Sequence, residues 1–347
     1  MKVWLPAIRT GSGTDVFTLR LADALAKRGH EPVPQFFHHR NEPWPIWLQR
    51  VPAPPGTQLV HGNSWTAHIF KRPELPLLVT EHHYIGDPAF TSFRTPLQHL
   101  YHRILIERQV QKSYAMADGL VTVSKHTAEA MQRDLHQPIT HIHNWVDLQQ
   151  FKSTSQVQPG NSPLRCLFVG NPSRRKGSDV LPALAERLGE RFQVLCLGGL
   201  RDSAASATGR VGLLPRHLPE DMPQLYNSVD VVLLPTRYEA FGYVALEAMA
   251  CGIPVVGFDS TGTAEVCLHG ETALLGPVDD LNTMVMHLRR LASDPGLRQQ
   301  LGINARRRAE ALFGEEQAMD RYIALYGQLT SSALACQQAL PSRRGAV

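Results

Sequence analysis

The amino-acid sequence predicts an α/β protein built from two parallel-sheet halves that face one another across a cleft. Two observations carry that reading. Strand, glycine or basic loop and helix alternate in both halves of the chain, and one stretch without apolar periodicity separates them.

The first half opens with KVWLPAI (2–8), a short strand, followed by the glycine loop TGSGTD (10–15) and an amphipathic helix over 16–30 that ends near Gly29. Apolar runs at 58–62, 76–83, 119–124 and 139–144 supply further short strands, with helical patterns between them. Residues 152–163, KSTSQVQPGNSP, read as a linker, because Ser, Gln, Gly and Pro replace the apolar period. The second half begins with a strand at 165–170 and continues through strands at 193–199, 231–235 and 254–258, with a helix over 180–192. Domains are therefore expected over 1–155 and 164–312, with the default ligand site in the cleft between them.

At 347 residues, with 43% hydrophobic and 19% charged residues, the chain is long enough for two full cores and has the composition of a soluble globular protein. A formal charge of +4 is too weak to argue for nucleic acid, and it suits anionic small molecules or an anionic membrane surface. The five cysteines are an odd number without paired metal spacing, and Cys166 and Cys196, inside apolar strand-like runs, read as buried thiols of a reducing cytosol. No signal peptide or spanning segment is evident, so the expected location is cytoplasmic. Thirteen of the 16 histidines lie before residue 150, but His38-His39, His82-His83 and His141 with His143 lack a partner at zinc-site helical spacing. No metal site is expected.

The densest chemistry lies in PTRYEAFGYVALEAMACGIPVV, residues 235–256. The strand before it, a loop holding Glu239, a helix opened by Gly242 and holding Glu247, and the next strand make one βαβ unit. The loop opens at the carboxyl edge of the sheet, where the helix amino terminus offers free N–H groups and positive dipole. Glu247 lies about two turns along, on the order of 12 Å at 1.5 Å per residue, so the two carboxylates would touch different parts of one long ligand. Tyr243, Val244, Leu246, Ala248 and Met249 make this a mostly apolar helix, on which a carboxylate needs a partner or a ligand hydroxyl. GNPSRRKGSD (170–179) puts Arg174, Arg175 and Lys176 at another strand end, ahead of a helix near Ser178, a local positive field suited to a diphosphate.

EAFGYVALEAMACGIPVV resembles the signature of the retaining GT-B-fold glycosyltransferases of family 4 (glycosyl transferases group 1), with two glutamates separated by seven residues. The resemblance implies two Rossmann-like domains and a last helix, about 313–335, that crosses back onto the N-terminal half. It implies that Glu247 binds the ribose hydroxyls of a nucleotide-diphospho-sugar, and that Glu239 lies against the donor sugar. Backbone N–H groups near Phe241, Gly242 and Tyr243 meet sugar hydroxyls and phosphate. Lys176 matches the family's phosphate lysine, whereas Asn171 stands at its usual arginine position, with Arg174 and Arg175 as the nearest replacements. Gly13 falls in the family's glycine-rich loop, and His82 falls where a histidine lies near the transferred sugar, with His83 next in register. Asn144-Trp145 replaces the commoner Asn-Gly, and a Trp does not enter a left-handed turn cheaply, so that loop is expected to differ. Residues 211–230 match the nucleobase-contacting loop and the helix after it.

No Asp-x-Asp motif is visible, so the implied chemistry is metal-independent, with leaving-group charge met by Lys176, an arginine and helix amino termini. The resemblance implies same-face attack, which makes Glu239 an orienting and electrostatic group, not a nucleophile. The acceptor is expected to be a glycan, a glycolipid or another hydroxyl compound. Residues 95–118 mix apolar faces with Arg, Lys and His, which suits peripheral contact with the inner membrane face. A nucleotide-sugar epimerase of the same fold and a non-catalytic nucleotide-sugar-binding subunit are the alternatives.

Overall fold

The computed structural model describes residues 1–93, 96–154, 163–198 and 210–339. Two six-stranded, wholly parallel sheets organise them. The N-terminal sheet has the order β2-β1-β3-β4-β5-β6, from β1 (Lys2–Ile8), β2 (Glu31–Phe37), β3 (Leu59–Asn63), β4 (Leu77–Glu81), β5 (Gly119–Thr122) and β6 (Thr140–His141). The C-terminal sheet has the order β12-β11-β10-β7-β8-β9, from β7 (Leu164–Gly170), β8 (Phe192–Gly198), β9 (Val211–Leu214), β10 (Val231–Leu234), β11 (Val255–Phe258) and β12 (Ala273–Gly276). Helices cover both faces of each sheet, which is why inner strands read as nearly continuous apolar runs: β1 is buried from Val3 to Ile8 and β10 throughout.

Three strands have weak signals in the sequence. β2 (EPVPQFF) holds two prolines, yet it pairs with β1 along its whole length. The Glu31 N–H donates to the Met1 carbonyl and the Arg9 N–H to the Phe37 carbonyl, so the odd-numbered residues face β1. Pro32 and Pro34 occupy the alternate positions, where an N–H would point away from the sheet. β9 and β12 are four-residue strands at the other edges. In the opposite sense, the run expected as a strand over 139–144 forms only Thr140–His141.

The last helix, Glu315–Ala339, leaves the second half and packs on the first. Its Ala318, Met319, Tyr322 and Tyr326 are buried with Val3, Leu5, Phe17, Leu21 and Trp145 in one apolar cluster. Trp145 is fully buried there and keeps an ordinary negative φ, so the turn that a glycine would have made left-handed is replaced by an aromatic anchor. Of the linker expected over 152–163, residues 155–162 lie outside the described residues. Cys166, Cys196, Cys251 and Cys267 are free and buried, and Cys336 is free and exposed. Among the described residues no helix is long and apolar enough to cross a membrane.

Candidate active site

The order of the C-terminal sheet makes the site. β10 and β7 are neighbours, so the loops that leave their carboxyl ends, 235–242 and 171–177, lie side by side. Each is shaped by a left-handed glycine. Gly242 (φ 103°) opens the Tyr243–Ala250 helix, and Gly177 (φ 74°) presses so close to β10 that a Cβ there would stand 1.9 Å from the Pro235 carbonyl oxygen. The basic loop is thus held down on the glutamate loop.

Lys176 pairs with the Glu239 carboxylate across the two loops. Burial by itself would raise the Glu239 pKa, but Lys176 and then Arg175 outweigh it and hold the carboxyl below the usual range. The Glu239 backbone is fixed as well: its N–H donates to Thr261 Oγ1 at 3.0 Å, and its carbonyl accepts from Thr261 Oγ1 at 2.7 Å and from the Gly262 N–H at 2.8 Å. Arg175 Nη1 donates to the Tyr238 carbonyl at 3.0 Å. Arg174 differs, since its side chain is exposed while its carbonyl accepts from Arg237.

Glu247 sits in a closed polar cage. Its Oε1 accepts from Arg20 of the Gly13–Lys27 helix, in the opposite half, and its Oε2 accepts from the Tyr226 hydroxyl at 2.8 Å. The Arg20 guanidinium also lies 4.7 Å from the centre of the Tyr243 ring. These partners meet the need of a carboxylate on an apolar helix.

The N-terminal half closes the cleft from the other side. A Cβ on Gly13 would lie 3.7 Å from the Tyr243 ring, so the glycine loop abuts the start of the glutamate helix. Within that loop Asp15 accepts from the Gly11 N–H at 2.8 Å and the Thr10 N–H at 3.1 Å, which turns those two donors inward. Asn171 Nδ2 reaches the Gly11 carbonyl at 3.5 Å, so the residue at the family's arginine position spans the cleft instead of offering a charge. His82 follows β4, with its ring 4.5 Å from that of Phe17, and lines a small cleft with His61 and Asn63. Burial pushes its pKa down to about 3, so the imidazole is neutral near pH 7. His83 packs instead on Tyr238, 5.0 Å between ring centres, and so touches the residue before Glu239.

A model of Glycosyl transferases group 1 matches residues 150–308, and one of Glycosyltransferase Family 4 matches residues 32–150. The chain belongs to the family 4 glycosyltransferases, and its fold is GT-B. The glycosyltransferase is 29% identical to the D-inositol 3-phosphate glycosyltransferase of Xylanimonas cellulosilytica, over 94% of each chain. It superposes on sucrose-phosphate synthase from Thermosynechococcus elongatus with a TM-score of 0.78 at 22% identity, over 95% of this chain and 99% of that one. HepE of Anabaena in complex with UDP-glucose gives a TM-score of 0.72 at 17% identity, over 96% and 100% of the two chains. At these identities the two structures speak for the fold alone.

The glycosyltransferase thus brings Glu239, Lys176 and Arg175 into one cluster, with Gly242 against the Glu239 side chain, while Phe241 is buried and Tyr243 meets Arg20 and Gly13. Glu247 and Arg174 stand apart from that cluster. Four further residues carry the site and were not singled out in the sequence. Arg20 and Tyr226 hold Glu247. Arg237, nearly buried, ties the two loops together through paired bonds to Asp179 at 2.8 and 2.9 Å and a third to Asp279 at 2.6 Å. Glu265 accepts the N–H groups of Lys125 and His126 at 2.7 and 3.0 Å, and His143 Nε2 lies 2.6 Å away. Arg237 follows a strand within the glutamate loop, a signal that was available, but its acidic partners are remote in sequence.

Proposed function

We propose that this glycosyltransferase moves a hexosyl group from a nucleotide-diphospho-sugar to a hydroxyl acceptor, with retention and without a metal in the transfer step. The observation that carries the reading is the Lys176–Glu239 pair at the adjoining ends of β7 and β10, opposite the Gly13 loop and His82. A departing diphosphate needs cations that are already in place, and Lys176 and Arg175 supply them beside the buried Glu239. Glu239, kept ionised by the same two cations, positions the sugar and stabilises positive charge that develops at its anomeric carbon. The acceptor proton passes to the departing diphosphate oxygen on the same face. A neutral His82 is suited to hydrogen-bond a donor hydroxyl without adding charge. Glu247 is assigned to the ribose, which requires the ribose hydroxyls to share or replace the bonds from Arg20 and Tyr226.

UDP-linked sugars are the first donors to test, because HepE was solved with UDP-glucose. A polyol phosphate is the first acceptor class, because of the activity named for the Xylanimonas relative. A lipid-linked acceptor is supported by Leu97, Leu100 and Ile104, which are exposed beside Arg103, Arg108 and Lys112 on the rim of the N-terminal half. Two acids lie near His82, as an epimerase would need, but Glu81 is held by the Tyr114 hydroxyl and the His83 N–H, and Asp87 by His126 at 2.8 Å. Incubation with UDP-, GDP- and ADP-sugars, with and without acceptor, tests the proposal. It expects acceptor-dependent release of nucleotide diphosphate and a product anomer like that of the donor by NMR; an acceptor-independent change of the sugar would replace it with epimerisation.

A further inference from the structure

We propose that His141, His143 and Glu265 form a binding site for one divalent transition-metal ion that clasps the two halves at a distance from the transfer chemistry. The three residues each offer a ligand atom, and these atoms all lie within 4.8 Å of one another. His141 ends β6 and His143 follows it, whereas Glu265 lies in the Thr261–Val266 helix of the other half. The set therefore exists only when the halves are docked. Histidine spacing along the chain does not reveal it, because the third ligand comes from 122 residues away.

Two imidazoles and one carboxylate form a donor set that zinc uses in open sites, with water completing the shell. Bonds of about 2.1 Å at tetrahedral angles would separate ligand atoms by roughly 3.4 Å. The His143 and His141 Nε2 atoms lie 2.6 and 3.7 Å from Glu265 Oε1, on either side of that spacing, so shifts of about an ångström admit an ion. His141 supplies a second, independent observation. Its Nε2 is buried and makes no hydrogen bond, although it faces Glu265. A buried imidazole nitrogen without a partner calls for one, and a cation meets the need. The N–H groups of Lys125 and His126 already orient the Glu265 carboxylate as outer-shell partners of a metal ligand do.

The site would also reach the reaction centre indirectly. Thr261 and Gly262, on the helix of Glu265, hold the Glu239 backbone, and the His143 ring lies 5.9 Å from that of Phe241. An ion here would brace the glutamate loop against the first half.

The test uses the full chain, freed of any tag and of metal by a chelator, and titrated with zinc by calorimetry. One equivalent should bind, and His141→Gln should weaken binding at least about 100-fold, the upper end of what outer-shell partners alone contribute. Zinc should raise the melting temperature of the native chain but not that of His141→Gln, and cobalt should give a visible absorption band only with the native set. His141→Gln removes no hydrogen bond seen in the structure, so its folding is a fair control. Absence of one-equivalent binding, or unchanged zinc affinity in both His141→Gln and His143→Gln, would overturn the proposal.

Discussion

Arg20 and Glu247 form an ion pair between the two halves of the molecule, and the same guanidinium rests on the Tyr243 ring. The carboxylate assigned to the ribose is therefore also a fastener of the cleft. Glu247→Ala removes both roles and leaves Arg20 charged and mostly buried, so it should cost about 3 kcal/mol in urea denaturation. It should also weaken nucleotide binding by about 1.5–3 kcal/mol, ten- to hundredfold in Kd. Arg20→Met with Glu247 intact separates the two effects: stability should fall while the ribose ligand remains, and unchanged calorimetric affinity in Glu247→Ala would remove Glu247 from the donor site.

Lys176→Met should lower kcat by on the order of 10²- to 10³-fold, the range for loss of one preorganised charge donor. Stability should fall as well, because Glu239 is left buried with Arg175 as its nearest remaining cation. An unchanged kcat in the folded variant would give Lys176 a structural role only.

The same pair sets a pH dependence. Glu239 has a carboxyl pKa held below its ordinary value of 4.5, so the unfolded chain binds a proton first and stability is lost as pH falls through 4.5 and below. In Lys176→Met burial dominates and the Glu239 pKa moves up, so the loss on acidification should be shallower. Urea midpoints at pH 6 and pH 4 for both proteins measure it; parallel curves would show that the pair is not formed.

His82 should not contribute a titration limb to kcat between pH 5 and pH 8, because burial places its pKa at about 3. His82→Gln should therefore lower kcat without changing the shape of the pH profile. Loss of a limb near pH 6.5 in the variant would show that the imidazole titrates in the free enzyme.

Gly177→Ala places a Cβ against the Pro235 carbonyl at a positive φ, a clash with backbone that no side-chain rotation relieves. A loss of at least about 2 kcal/mol in urea denaturation is expected, with weaker donor binding because the Lys176 loop must lift.

The fold was legible wherever strands are continuous apolar runs. KVWLPAI forms β1 over its full length, and the runs starting at 165 and 231 form β7 and β10 to within one residue. β2 was hidden by Pro32 and Pro34, whose effect depends on which side of the strand meets a neighbour. The site was legible as a set of loops at strand ends, because the sequence neighbours of Glu239 and Lys176 specify those loops locally. Its cross-connections were not. Arg20 meets Glu247 across 227 residues, Arg237 meets Asp179 across 58, and each contact depends on how elements dock and not on local pattern.

The outward face of β2 has a consequence for assembly. With Pro32 and Pro34 at two of the three outward-pointing positions, that edge offers carbonyls but keeps only the Phe36 N–H as a donor with which a foreign strand could continue the ladder. The long margin of the first sheet is thereby a poor template for strand addition, since prolines on an edge strand blunt its pairing with another chain.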